Sequence, residues 1–296
     1  MTRLIVLAAT LLVIGVNVAA NIVPINGFKT GQLSALYPTG FTPAGWVFAI
    51  WGVIYSGLLI FSIYSLCADE TKSSRLDRVR VPFLASCAAN AAWIFFWHYR
   101  QILASLVVMF VLLGSLVIVY VRLRRSPAQS WQERLCVDLA FSIYLGWIST
   151  ATLANFGAWC FDIGAYPFGL RMDDWALVSV TFATAIYVGV GTLTRDPIFV
   201  AVFAWASLGI VYQKLPVSVP VRVVAATACA VVTLLVLALC VDWLRGPGRR
   251  LGPNERGFKG TIATADATAS GHGARLRGSA GHWRIAFGSR AGAGAI

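Results

Sequence analysis

Charge is scarce in this chain and histidine scarcer still. Only 12% of the 296 residues are charged, against roughly 25% in ordinary soluble domains, which excludes a soluble globular protein. Two of the three histidines, His272 and His282, sit in the C-terminal stretch, leaving His98 alone in the body of the chain. No paired carboxylates appear. The six cysteines (67, 87, 136, 160, 229, 240) are scattered through apolar sequence, and no two stand at metal-ligand or redox spacing. The residues for hydrolysis, metal binding or thiol chemistry are therefore missing. No catalytic residue, metal or cofactor is expected, and the chain does not read as an enzyme. His98, at a span end beside Arg100, reads as an interfacial residue and not as a base.

What the chain has in excess is apolar sequence, 58% of the total. It falls into eight blocks, each near the ~20 residues a helix needs to cross a bilayer: 3–23, 45–67, 81–99, 102–122, 137–159, 174–194, 197–214 and 221–244. The fold class is therefore all-α, a polytopic transmembrane helical bundle. The seventh block is the shortest and opens on Asp196-Pro197, a cap and first-turn pair. Asp173 and Asp174 are placed to cap the sixth helix. Charged residues gather in 68–80 and 123–136, which read as solvated loops.

Lys and Arg resist translocation, so their distribution orients the bundle. With eight spans, one side receives Arg3, Lys72, Arg75, Arg78, Arg80, Arg122, Arg124, Arg125, Arg134 and Arg195. The other receives only Lys29, Arg100, Arg171, Lys214 and Arg222. Both termini are expected in the cytoplasm, in a bacterial inner (plasma) membrane. The N-terminal run could be a cleaved signal peptide. Against that, Thr10, Asn17 and Asn21 share one helical face, as suits a retained helix that bonds to its neighbours. From Gly246 the chain turns Gly-rich and basic, with no apolar periodicity, so disorder is expected there and nucleic-acid binding is not.

Aromatic residues are the second excess, with 11 Trp, 9 Tyr and 17 Phe. Trp131, Trp175 and Trp243 lie at span ends and suit an interfacial belt. Others lie deeper and repeat with a helical period. After Phe41-Thr42-Pro43-Ala44-Gly45-Trp46-Val47, where Thr42 is a candidate N-cap, the second span carries Phe48, Trp51 and Tyr55 at i, i+3 and i+7. The third carries Asn90, Trp93 and Trp97 on one face. The fifth carries Tyr144, Trp147, Ala151 and Asn155 at i, i+3, i+7 and i+11. A shared internal pocket and plain aromatic core packing both account for three such stripes. The loop 24–41, with Phe28, Tyr37 and Phe41, is either a lid over the bundle or an interfacial anchor.

These residues resemble the TspO/MBR group, the tryptophan-rich sensory or translocator proteins. The family's second helix has the pattern W-T-P-P-x-W-V-F-x-x-x-W-x-x-x-Y, followed here by Phe41 to Phe48, Trp51 and Tyr55. Its third has N-x-x-W and then F-F, matched by Asn90, Trp93, Phe95 and Phe96. Its fifth has P-Y-x-x-W and a later Asn, matched by Tyr144, Trp147 and Asn155. Ala49 and Ile143 stand where the family has proline, and the Trp46 to Trp51 spacing is one residue short. The resemblance covers residues 1–160 as a five-helix bundle, with three further helices over 161–245 and the tail 246–296.

The resemblance implies binding of porphyrins, and in some members sterols, among the helices near the first loop, with Lys29 a lone partner for ligand carboxylates. The implied ligand-binding set is Trp46, Phe48, Trp51, Tyr55, Asn90, Trp93, Tyr144, Trp147 and Asn155. The expected partners are a porphyrin-like molecule, membrane lipid and a second copy of the chain as a homodimer. A sensory or regulatory binder is the leading reading. The rivals are a carrier of an apolar solute, although Asp138 and Asp242 lie near span ends rather than deep in a helix as ion coupling would need, and a scaffold without ligand. Light-dependent porphyrin degradation by tryptophan, thought to occur in some relatives, is the enzymatic alternative.

Overall fold

A computed structural model describes residues 2–68, 70–214 and 217–244, and no strand occurs among them. The Gly-rich tail from 246, with its expected disorder, lies outside the described residues, as do the side chains of Asp242 and Trp243. The helices are α1 (Thr2–Ile22), the short α2 (Thr30–Ala35), α3 (Ile50–Cys67), α4 (Glu70–His98), α5 (Ile102–Arg125), α6 (Trp131–Glu133), α7 (Leu139–Asp162), α8 (Met172–Thr194), α9 (Pro197–Val211) and α10 (Val219–Leu244). A π-helical turn over Arg134–Asp138 joins α6 to α7.

Among the described residues, seven segments are long and apolar enough to span a bilayer: Arg3–Ile22, Gly45–Cys67, Ser74–His98, Ile102–Arg125, Trp131–Asp162, Met172–Thr194 and Val219–Val241. The protein is thus a polytopic all-α membrane protein. The seventh apolar block holds α9, whose 15 residues reach only ~22 Å, less than the ~30 Å of a hydrocarbon core. It still links the two ends of the bundle. Asp196, just before it, bonds Tyr120 and Arg124 at the end of α5, while Gln213, just after it, bonds Thr42 ahead of α3. Burial explains how so short a helix suffices. Val200, Phe203, Ala206 and Ile210 are sealed from solvent among α7, α8 and α10, so protein rather than lipid surrounds most of it.

The polar stripe on α1 faces its neighbours. Thr10 shares a hydrogen bond with Ser62 of α3 (2.7 Å), and Asn17 donates to Asn90 of α4 (2.9 Å). Asn21 instead turns back to the carbonyl of Asn17.

Three local expectations are corrected. Thr42 does not cap a helix: its hydroxyl donates to the Tyr37 carbonyl, residues 42–44 are irregular, and the chain passes through a 3₁₀ turn (Gly45–Ala49) before α3 begins. Asp173 and Asp174 lie inside the first turn of α8, behind Arg171 at the N-cap, where they suit the helix dipole without making a cap bond. Most of 68–80 is the first part of α4 and not a loop. Arg75 there is only 6% exposed. It donates to Glu133 (2.9 Å) and Asp138, and to the carbonyls of Leu123 and Ser126. The helix continues because its apolar positions Leu76, Val79 and Phe83 bury against the bundle. Asp196, by contrast, does cap α9, accepting from the backbone of Ile198 and Phe199 at 3.1 Å each.

Pro82 falls inside α4. Lacking an N–H, it cannot bond the carbonyl of Arg78 one turn back. That carbonyl accepts from Arg122 of α5 instead, at 2.6 Å.

Candidate functional site

Three of the aromatic stripes meet. Trp51 on α3 is the hub: its ring lies 6.1 Å from Trp93 (stacked), 6.2 Å from Trp147 (edge-on), 6.4 Å from Tyr144 and 5.4 Å from Tyr55. Phe48 sets its edge against Trp147 at 5.8 Å, and Trp93 stacks on Trp97 at 5.9 Å. These separations fall in the range where aromatic pairs add ~0.5–1.5 kcal/mol beyond burial. The helical period explains the convergence, since each stripe lies on the one face its helix turns inward.

Above the hub lies a cleft of about 550 Å³, counting the space at its mouth. Of this, only about 40 Å³ admits the centre of a water-sized sphere, so the cleft is narrow as it stands. Phe48, Trp51, Trp93, Trp97 and Trp147 supply its aromatic wall. Ala151, Ala154 and Ala158 of α7, together with Asn155, leave room along its floor. Thr30 and Ser34 of α2, then Tyr37, Thr42 and Pro43, close the near side. The loop 24–41 is therefore laid over the bundle, and Tyr37 and Phe41 are buried in it, as a lid requires and an interfacial anchor does not. No charged residue lines the cleft.

The polar groups around it are mostly engaged. Trp93 donates its indole N–H to Asn155 Oδ1 (2.9 Å), and Asn155 also pairs with Ser105 of α5 (3.1 and 3.2 Å). Thr150 pairs with Tyr187 of α8 (2.8 Å). Trp97 and Trp147 are different. Both are buried, and neither indole N–H has a hydrogen-bond partner.

Of the nine positions singled out from sequence, Phe48, Trp51, Trp93, Trp147 and Asn155 line the cleft. Tyr55, Asn90 and Tyr144 lie behind that wall: Tyr55 stacks on Trp51, and Asn90 spends its amide on Tyr144 (2.7 Å) while accepting from Asn17. Trp46 faces away. It is 44% exposed and sets its edge against Trp205 of α9 at 4.7 Å; at helical spacing it falls about 140–200° from Trp51 and Phe48, on the opposite face. Trp97 was visible in the third stripe, and the alanines continue the Trp147 stripe at helical spacing. Thr30, Ser34 and Tyr37 carry no periodic signal, because the loop that holds them is ordered by tertiary contacts.

His98 is not interfacial. It is fully buried, donates from Nδ1 to the Ile94 carbonyl (2.7 Å) and leaves Nε2 facing the Thr30 hydroxyl (3.4 Å). With Asn26 donating to the His98 carbonyl (3.0 Å), it ties the loop to the end of α4. Lys29 is exposed and outside the lining. Arg100, in the turn after α4, donates to the hydroxyl of the lining residue Tyr37 at 3.4 Å. That bond raises its already high pKa.

No curated protein and no solved structure matches this chain. The model of one family, the TSPO-like proteins, matches residues 3–241. The match runs beyond residue 160, where the resemblance in the motifs stopped, and takes in α8, α9 and most of α10. Spanning all but the first residues and the tail, it shows that the chain belongs to the TSPO-like protein family.

Proposed function

We propose that the protein binds a flat, hydrophobic, tetrapyrrole-like molecule in the cleft between α3, α4 and α7 and acts as a sensor or regulator rather than as an enzyme. The observation that carries this reading is the arrival of five aromatic rings from three helices on one uncharged cleft. Such rings offer a polarizable face to a planar ligand. Trp51 and Trp93 stand only 6.1 Å apart, and a third ring between them needs about 7 Å, two contacts of ~3.5 Å. The ligand therefore lies over the wall and not between its rings. Its acceptors would satisfy the free N–H groups of Trp97 and Trp147, and carboxylates would stay at the mouth near Arg100. The positive-inside rule favours a cytoplasmic location for both termini.

Titrating the purified protein with protoporphyrin IX while following tryptophan emission tests the proposal. Saturable quenching is expected, weakened about tenfold by Trp147→Phe or Trp51→Phe through lost ring contact. No quenching in the parent protein would refute it.

A further inference from the structure

One helix outside the aromatic wall shapes its entrance. Residues 42–44 have no helix or strand to hold them, yet Thr42 and Pro43 line the cleft and lead directly to Phe48. An irregular backbone in a membrane protein needs partners for its polar groups. One face of α9 and the residues just after it supply them at i, i+4 and i+8. Trp205 donates its indole N–H to the Val47 carbonyl (3.0 Å). The Gly209 carbonyl accepts from the amide of Ala44 (3.0 Å). Gln213 donates its side-chain amide to the Thr42 carbonyl (3.1 Å).

The approach is close. A Cβ at Gly209 would collide with Val47 Cγ2 and lie 3.0 Å from Pro43 Cβ. Behind it, Arg222 of α10 donates to the carbonyls of Val211 (2.7 Å) and Gln213 (2.8 Å), fixing the end of α9.

We infer that α9 is a clamp that sets the position of the cleft's Thr42–Val47 rim, with Trp205, Gly209 and Gln213 as positioning residues for ligand binding. The inference rests on the cleft being a binding site. It gives the C-terminal helices a role in that site although none of their residues lines it. The rim is held by three hydrogen bonds to its backbone and by the side chains of Val47 and Pro43 against Gly209, so small displacements of the Trp205–Gln213 segment pass to Pro43 and on to Phe48.

The test pairs two measurements on the full-length protein in detergent or nanodiscs: amide hydrogen exchange over residues 42–49, and the affinity and dissociation rate of protoporphyrin IX. Gln213→Met and Trp205→Phe each remove one donor. Each should speed exchange in the rim and weaken binding about threefold to tenfold, mainly through faster dissociation. Gly209→Ala should do the same by displacing Val47. Phe83→Leu is the control: it loosens the packing of Phe83 against Phe61 (5.1 Å) and Phe141 (5.7 Å), away from both α9 and the cleft, so it should lower the melting temperature and leave dissociation unchanged.

Unchanged rim exchange in both donor variants overturns the inference, as does faster exchange with unaltered binding, or a Phe83→Leu effect on dissociation equal to theirs. Absence of binding by the parent protein refutes the proposed function instead, and exchange then decides by itself whether α9 holds the rim.

Discussion

The two ends of the bundle are built from different materials. At one end, where α4, α5, α7 and α9 converge, buried charges meet in pairs. Arg75 bonds Glu133 and Asp138. Asp196 accepts from Arg124, from Ser142 (2.6 Å) and from Tyr120 (2.9 Å) while capping α9. At the other end, under the first loop, the lining is aromatic, small and uncharged. Ion pairs need near-complete partnering to be tolerated in a dry interior, so they fill the space where they occur and draw helices together. Rings on rigid helices can leave a cleft. The contrast teaches that this protein concentrates its rigidity at the charged end and its empty volume at the aromatic one.

Breaking the charged end should have the largest effect. Arg75→Ala strands Glu133, 1% exposed, and Asp138 without their cation. A loss of about 3–5 kcal/mol is expected, seen as a marked fall in melting temperature. Asp196→Ala removes an acceptor shared by three side chains and a helix cap. A loss near ~3 kcal/mol is expected, less than for Arg75 because Arg124 is partly exposed and can turn to water. Below their melting temperatures both variants should quench with protoporphyrin like the parent, since neither residue touches the cleft. A middle-sized effect is expected at the seam between the ends. Gly146→Ala places a Cβ 3.0 Å from Val202 Cβ and 3.2 Å from the Phe199 carbonyl, an overpacking of about 1–3 kcal/mol. Thr10→Val, which removes the α1 to α3 hydrogen bond, should cost least, about 0.6 kcal/mol. Its melting curve should nearly overlay the parent's.

The aromatic end was largely legible in the sequence, because a stripe at helical spacing encodes its own face. Phe48, Trp51, Trp93 and Trp147 reached the cleft by that rule. The same rule accounts for Trp46. It shares the apolar run with Trp51, but at helical spacing it falls about 180° from the Phe48–Trp51–Tyr55 stripe, and the family motif rather than the stripe singled it out. Arg75 and His98 were misread for another reason. A polar residue at the end of an apolar block is ordinarily solvated, and only its partners, 58 residues away at Glu133 and 68 away at Thr30, make burial tolerable. Pairing across the sequence leaves no periodic trace. The shortness of α9 was legible, but its setting was not, since hydropathy cannot tell protein surroundings from lipid.

Pro82 deserves the same view from outside its own helix. Taken alone, it is a missing bond in α4. Joined to Arg122, it is a docking point: the interruption exposes a carbonyl that an unbroken helix would have kept for itself, and α5 registers against α4 there. Restoring the helix with Pro82→Ala would thus set the new amide of residue 82 in competition with Arg122 for one oxygen, so the gain in local regularity would be taken out of the seam between two helices.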